Sequence, residues 1–279
     1  MPEIIDKFWP TYLPVGAPGP VVLQAFEEIR ARVERAPAFS CDIETQAPPG
    51  GKDKEALDLR KGDLVGVSLG WKEKQYVPWF EALPNRIPVT QEGGMTPSVY
   101  LPLRHALVPH APPYVLEWLA KILADPKKIK LFHFAPFDVP FMKWRQGWVT
   151  TPPYIDTALF AWVYNETLPR KLKDLAQHLL GWDPLEFGDI ARVPFGSIPP
   201  EVAFRYACQD AHLPIYLLDF FLKGMHAGGS TLVQQLEIPI QYEFQAMHFE
   251  GIPVAAHLLR RYEAALVEIV GALQPLVRT

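Results

Sequence analysis

At 279 residues, 49% of them hydrophobic, the chain is long enough for one large domain, or a domain with an appendage, and apolar enough for a sizeable core. A formal net charge of -4 excludes a protein that coats nucleic acid through a broad basic surface, but not one that grips a strand end. The two cysteines, Cys41 and Cys208, give no disulfide framework and no metal-ligand spacing, and read as small core residues in a reducing compartment.

No apolar run approaches membrane-spanning length, and the start, Met-Pro-Glu-Ile-Ile-Asp-Lys, lacks the pattern of a secretory signal. The expected setting is the cytoplasm, with no membrane partner. The 30 prolines are about twice the usual share and fall largely in loops, where they restrict the unfolded chain.

Residues 1–20 read as an extended lead-in, and a helix is predicted over 21–35 from Leu23, Phe26, Ile29, Ala31 and Val33. Phe39-Ser40-Cys41-Asp42-Ile43-Glu44-Thr45 then reads as a strand. Its side-chain period of 2 sets Asp42 and Glu44 on one face, Cys41 and Ile43 on the other. Two unit charges at ~4 Å repel by about 4 kcal/mol at an effective dielectric near 20, so this pair calls for a cation or a shared proton. A solvated strand end with two acids fits the same short pattern. After a loop at 46–62, strands are predicted over 64–71 and 75–80, in an antiparallel meander. A Pro- and Gly-rich insertion over 81–99 leads to a further edge strand at 99–103.

A helix predicted from Pro113 to about Asp125 and a strand over 127–133 continue the alternation of an α/β fold. Phe134-Ala135-Pro136-Phe137-Asp138 follows, with proline near a helix start and Asp138 in the first turn. Helices are expected at about 156–164, 171–180 and 200–225, with a loop at 182–199 before the last. In that last helix Tyr206 and Asp210 are four apart and share a face. The tail reads as a helix over 232–249, a turn with a short strand at 250–254, and a helix over 255–273.

Asp42-Ile43-Glu44-Thr45, His133-Phe134-Ala135-Pro136-Phe137-Asp138 and Tyr206-Ala207-Cys208-Gln209-Asp210-Ala211, in that order, resemble the motifs of the DEDD superfamily of 3'-5' exonucleases, tyrosine subclass. Ile155-Asp156-Thr157 and Leu172-Lys173-Asp174-Leu175-Ala176 extend the likeness, which is greatest to the proofreading domain of family A (bacterial DNA polymerase I type) DNA polymerases and covers about residues 21–225. Glu237-Ile238-Pro239 and Met247-His248-Phe249-Glu250-Gly251-Ile252-Pro253-Val254 are similar to the segment that leads into the polymerase thumb. The resemblance implies a ribonuclease H-like mixed sheet flanked by helices, with a C-terminal helical appendage. It divides the chain into an extended segment (1–20), an exonuclease domain (21–228) and a thumb-like helical segment (229–279), with any polymerase domain beyond residue 279.

The same resemblance implies two divalent ions, Mg2+ or Mn2+. Asp42 would bridge them, Glu44 and Asp210 complete one site, and Asp138 hold the other largely through water, while Tyr206 orients the attacking water. Oxygen-only ligands agree with hard cations. The implied substrate is a single-stranded or frayed DNA 3' end, released as nucleoside 5'-monophosphates. One departure stands out: the asparagine usual four residues before the second-motif aspartate is Phe134 here. Phe134 either stacks on a base or belongs to the core, and His133 either supplies a polar contact or is structural. Thr45 and Phe137 complete the expected substrate contacts.

Asp156 is expected to cap the helix from Thr157. Arg60, Lys61, Lys127, Lys128, Lys130, Arg170, Lys171 and Lys173 are candidate phosphate contacts, although such a residue is more often simply a solvated charge. Two other functions fit the sequence: a noncatalytic exonuclease-like module that binds DNA or braces a polymerase, and an RNA-trimming exonuclease of the same superfamily.

Overall fold

The alternation read at Phe39–Thr45 is what divides the protein into two packed faces. The computed structural model describes residues 8–11, 13–72, 96–190 and 193–277. Its strands are β1 (Phe8–Thr11), β2 (Ala38–Gln46), β3 (Asp63–Trp71), β4 (Thr96–Pro102), β5 (Ile129–Phe132) and β6 (Tyr154–Asp156), in the order β1-β4-β3-β2-β5-β6. β3 runs antiparallel to β2 and β4, and the remaining pairs are parallel, which makes the sheet mixed as expected for a ribonuclease H-like fold. β4 is not an edge strand: β1 pairs along it from Phe8↔Thr96 to Thr11↔Val99, so part of the expected lead-in is itself a strand. The strand expected at 75–80, and most of the insertion after it, lie outside the described residues.

Helices α1 (Gly19–Arg35), α2 (Pro113–Ala124), α3 (Ala135–Gln146), α4 (Thr157–Tyr164), α5 (Leu172–Leu175), α6 (Phe187–Ile190), α7 (Pro200–Gly224), α8 (Ala227–Leu232), α9 (Ile238–Glu250) and α10 (Ala256–Val277) complete the chain. Phe39, Cys41 and Ile43 of β2 join one core with Phe26 and Ile29 of α1, Val115 and Leu119 of α2, and Phe141 of α3. On the other face Ala38, Leu131 and Ile155 pack against Phe160 of α4 and Leu217 and Phe221 of α7. Val65 and Tyr100 meet Ala203 and Ala207 of α7 there. Ser40, Asp42 and Glu44 alternate with the first set and therefore share the α7 face.

Two small residues let α7 come close to that face. The Ser40 hydroxyl donates to the Ala211 carbonyl. Gly70 lies opposite Ser40 across the ladder, and a Cβ on it would stand 2.8 Å from the Ala211 oxygen. Only a residue without a side chain fits this approach, which brings the Asp210 turn of α7 against β2.

The chain forms two compact units, one through Gln245 and one from Ala246. Within the first, α9 bonds to β6. The Tyr242 hydroxyl accepts from Tyr154 N at 3.0 Å and donates to Tyr154 O at 2.7 Å. The second unit contains α10, and residues 251–255 before it form no strand. Among those residues no helix is long and apolar enough to cross a membrane.

Candidate active site

Asp42 and Glu44 of β2 and Asp210 of α7 converge. Each offers a carboxylate oxygen within 4.8 Å of the other two. Glu44 and Asp210 are buried, 8% and 7% exposed, so water does little to screen them. Burial, then the Asp210 charge, raises the Asp42 carboxyl well above its usual range, with Lys173 opposing. Burial followed by Asp42 and Asp210 does the same to Glu44, and burial raises Asp210 against the pull of Lys173. Glu44 Oε1 is buried without a hydrogen-bond partner. Three oxyanion donors, two of them buried and one with an unsatisfied oxygen, are a donor set that a hard divalent cation would complete.

Asp138, in the first turn of α3, is buried beside this trio rather than within it. Its carboxyl is raised by burial, then by Asp42 and Asp156, while the backbone N–H groups of Asp138 and Ile43 donate to it. The Ile43 bond ties it to the residue next to Asp42. Tyr206 lies one turn before Asp210 on α7 and donates its hydroxyl to the Asp210 carboxylate. Burial, then the charges of Asp210, Glu44 and Asp42, holds its phenol far above the ordinary value, so it remains a hydrogen-bond donor.

Asp156 caps α4 as expected, accepting from Ala158 N at 2.9 Å. It also accepts from Phe134 N at 2.9 Å, Ala135 N at 2.8 Å and Gln241 Nε2 at 2.6 Å, contacts that no local pattern announces. Those two backbone bonds hold the start of α3, where Phe134 has a left-handed backbone at φ 71. Such a conformation is unfavourable for a bulky side chain unless its surroundings fix it. Asp156 therefore sets the direction of the helix that carries Asp138.

The expected substrate contacts separate. Phe134 is 59% exposed, which rules out its core reading. Both His133 ring nitrogens are engaged, with Thr157 Oγ1 and the Arg170 carbonyl at 2.8 Å each, so the histidine ties two segments together. Phe137 is half-buried with its ring 5.4 Å from Phe141, and Thr45 is half-buried just past a register shift in β2.

The basic candidates separate as well. Lys130 is buried, its Nζ donating to the Asp125 carbonyl at 2.8 Å, and burial pushes its pKa down to about 8. Lys128 donates to the Ala36 carbonyl at 2.7 Å. Lys173 instead enters the acidic site, with Nζ 3.0 Å from Asp210 Oδ2 and 3.6 Å from the centre of the Tyr206 ring. Nothing in the local sequence distinguishes it from Arg170 or Lys171.

Residues 91–226 match the family model described as 3'-5' exonuclease. That segment, just under half of the chain, contains Asp138, Tyr206 and Asp210 and is similar to a 3'-5' exonuclease domain. The chain is 26% identical over 266 residues to DNA polymerase I of Pseudomonas aeruginosa, a match covering 89% of this chain and 25% of the polymerase. It spans about a quarter of the length of the curated relatives it matches. Among solved structures, Trypanosoma brucei RNase D in complex with RNA U12 superposes with a TM-score of 0.59 at 14% identity, covering 90% of this chain and 74% of that one. The POL domain of Pol1 from M. smegmatis, in complex with DNA primer-template and dNTP, superposes with a TM-score of 0.56 at 17% identity, covering 87% and 33%. These structures share this chain's fold.

Proposed function

We propose that the protein hydrolyses single-stranded or frayed DNA 3' ends to nucleoside 5'-monophosphates, with Asp42, Glu44, Asp138 and Asp210 holding two divalent ions, Mg2+ or Mn2+. The observation that carries this reading is the meeting of Asp42, Glu44 and Asp210 within 4.8 Å, with Asp138 bonded to the backbone beside Asp42. When bound, such ions supply Lewis-acid stabilisation of charge on the attacking and leaving oxygens. The chain's own groups do the placing. Asp210 is fixed by Tyr206 and Lys173, Asp138 by the Ile43 amide, and α3 by Asp156.

Tyr206 orients the attacking water as a hydrogen-bond donor or acceptor, because its proton stays on at neutral pH. A bulk negative charge is no obstacle, since cations on the cluster present positive charge where phosphate arrives. The DNA reading, and a role as the proofreading part of a family A polymerase, are supported by the polymerase relatives, which align along most of this chain.

The test compares 5'-labelled and 3'-labelled single-stranded DNA and RNA of one sequence, in Mg2+ or Mn2+ and with chelator. Stepwise metal-dependent shortening of DNA from the 3' end is expected. Faster shortening of RNA would replace the DNA assignment with RNA trimming. Binding without any mononucleotide release would leave a noncatalytic module.

A further inference from the structure

Beside the second motif lies a cavity of about 600 Å³ that the catalytic reading does not use. Phe134, Trp162 and Phe244 line it and are 59%, 52% and 61% exposed. Three large rings left in water around one hollow mark a binding surface more often than a solvated face. The Arg170 guanidinium lies 4.0 Å from the centre of the Trp162 ring, and Lys171 adds a second positive charge to a wall that also holds the Glu237 and Asp156 carboxylates. At the polar end Gln241 is 7% exposed. Its Nε2 is taken by Asp156, and its Oε1 has no hydrogen-bond partner.

We infer that this cavity holds a nucleobase of the substrate strand. Flat π-faces accept any base by stacking, the two cations suit the phosphate attached to it, and the unpaired Gln241 carbonyl suits a donor on a base edge. An apolar peptide segment would fill the apolar walls but bring no anion to Arg170 and Lys171. The cavity is linked to the start of α3 through the backbone. Asp156 lines it and holds the backbone of Phe134 and Ala135, three to four residues before Asp138. The inference rests on the nuclease reading, and it gives exposed Phe134 a role where a family asparagine is expected.

The test measures binding of labelled single-stranded DNA in Ca2+ buffer, with an abasic site at each of the last four positions in turn. One position should weaken binding to the wild type roughly tenfold. Trp162→Ala and Phe244→Ala should weaken binding of the intact strand by a similar factor and erase the difference at that position. Trp144→Ala, an exposed indole elsewhere, should leave the pattern unchanged. Equal binding of all abasic strands by the wild type, or a position effect that survives in Trp162→Ala, would overturn the inference and leave the cavity to a protein segment. Mononucleotide release in Mg2+ on the same samples separates the two readings. Hydrolysis without base dependence sinks the pocket alone, and base-dependent binding without hydrolysis sinks the nuclease reading alone.

Discussion

Lys173 stands in a buried ion pair with Asp210, Nζ to Oδ2 at 3.0 Å, with both side chains only 10% exposed. It opposes the repulsion among Asp42, Glu44 and Asp210. Removing one partner of a buried pair leaves the other charge uncompensated, at a cost of roughly 3 kcal/mol. Lys173→Met should therefore lower the melting temperature in chelator, and Mn2+ should restore much of the loss. An unchanged melting temperature would mean that the pair contributes no net stability.

Asp156 accepts four hydrogen bonds, from Phe134, Ala135, Ala158 and Gln241. Asp156→Ala leaves those donors buried or poorly paired and should destabilise the protein by about 3 kcal/mol. It should also lower kcat more than it raises KM, because it loosens α3 and with it Asp138. A variant as stable and active as the wild type would show that the network is dispensable.

The seat of α7 can be tested from the opposite side of the sheet pair. A Cβ at position 70 would meet the Ala211 backbone at 2.8 Å, and backbone cannot swing aside as a side-chain tip can. Gly70→Ala should cost about 1 to 3 kcal/mol and weaken divalent-ion binding, since Asp210 moves with α7. Calorimetric titration of Mn2+ against both proteins measures this, and equal affinities would refute the coupling.

Much of this arrangement is legible in the residues themselves, and the reason is locality. Asp42 and Glu44 are placed by strand period, Tyr206 and Asp210 by helix period, and Asp138 by a helix start, each decided within a few positions. What escaped the sequence depends on contacts between distant segments. Gln241 reaches Asp156 across 85 positions, Ser40 reaches Ala211 across 171, and Phe8 of β1 pairs with Thr96 of β4, 88 positions on. Lys173 is the clearest case: its neighbours Arg170 and Lys171 look alike in sequence, and only packing sends one of the three into the acidic site.

The raised carboxyl pKa values fix a pH dependence. In the metal-free protein the native state keeps protons that the unfolded chain, with ordinary carboxylates, has released above about pH 4. The native state then binds more protons, so stability from this cluster falls as pH rises above that range. In chelator Asp42→Asn should be more stable than wild type at pH 8, by on the order of 1 kcal/mol, with the gap closing toward pH 5. Saturating Mg2+ or Mn2+ should reverse the order at pH 8 by stabilising the wild type alone. A gap independent of pH would mean that the cluster does not carry the mutual repulsion described.

Whether the Asp42, Glu44 and Asp210 cluster performs metal-dependent hydrolysis at a 3' end is decided by one comparison. Labelled mononucleotide release from single-stranded DNA is followed for wild type and Asp42→Ala in Mn2+, with a chelator control. The account predicts release by the wild type that chelator abolishes, and a loss of at least about a hundredfold in the variant, the scale expected when charge stabilisation at the reacting oxygens is removed. Release by Asp42→Ala at the wild-type rate would contradict it.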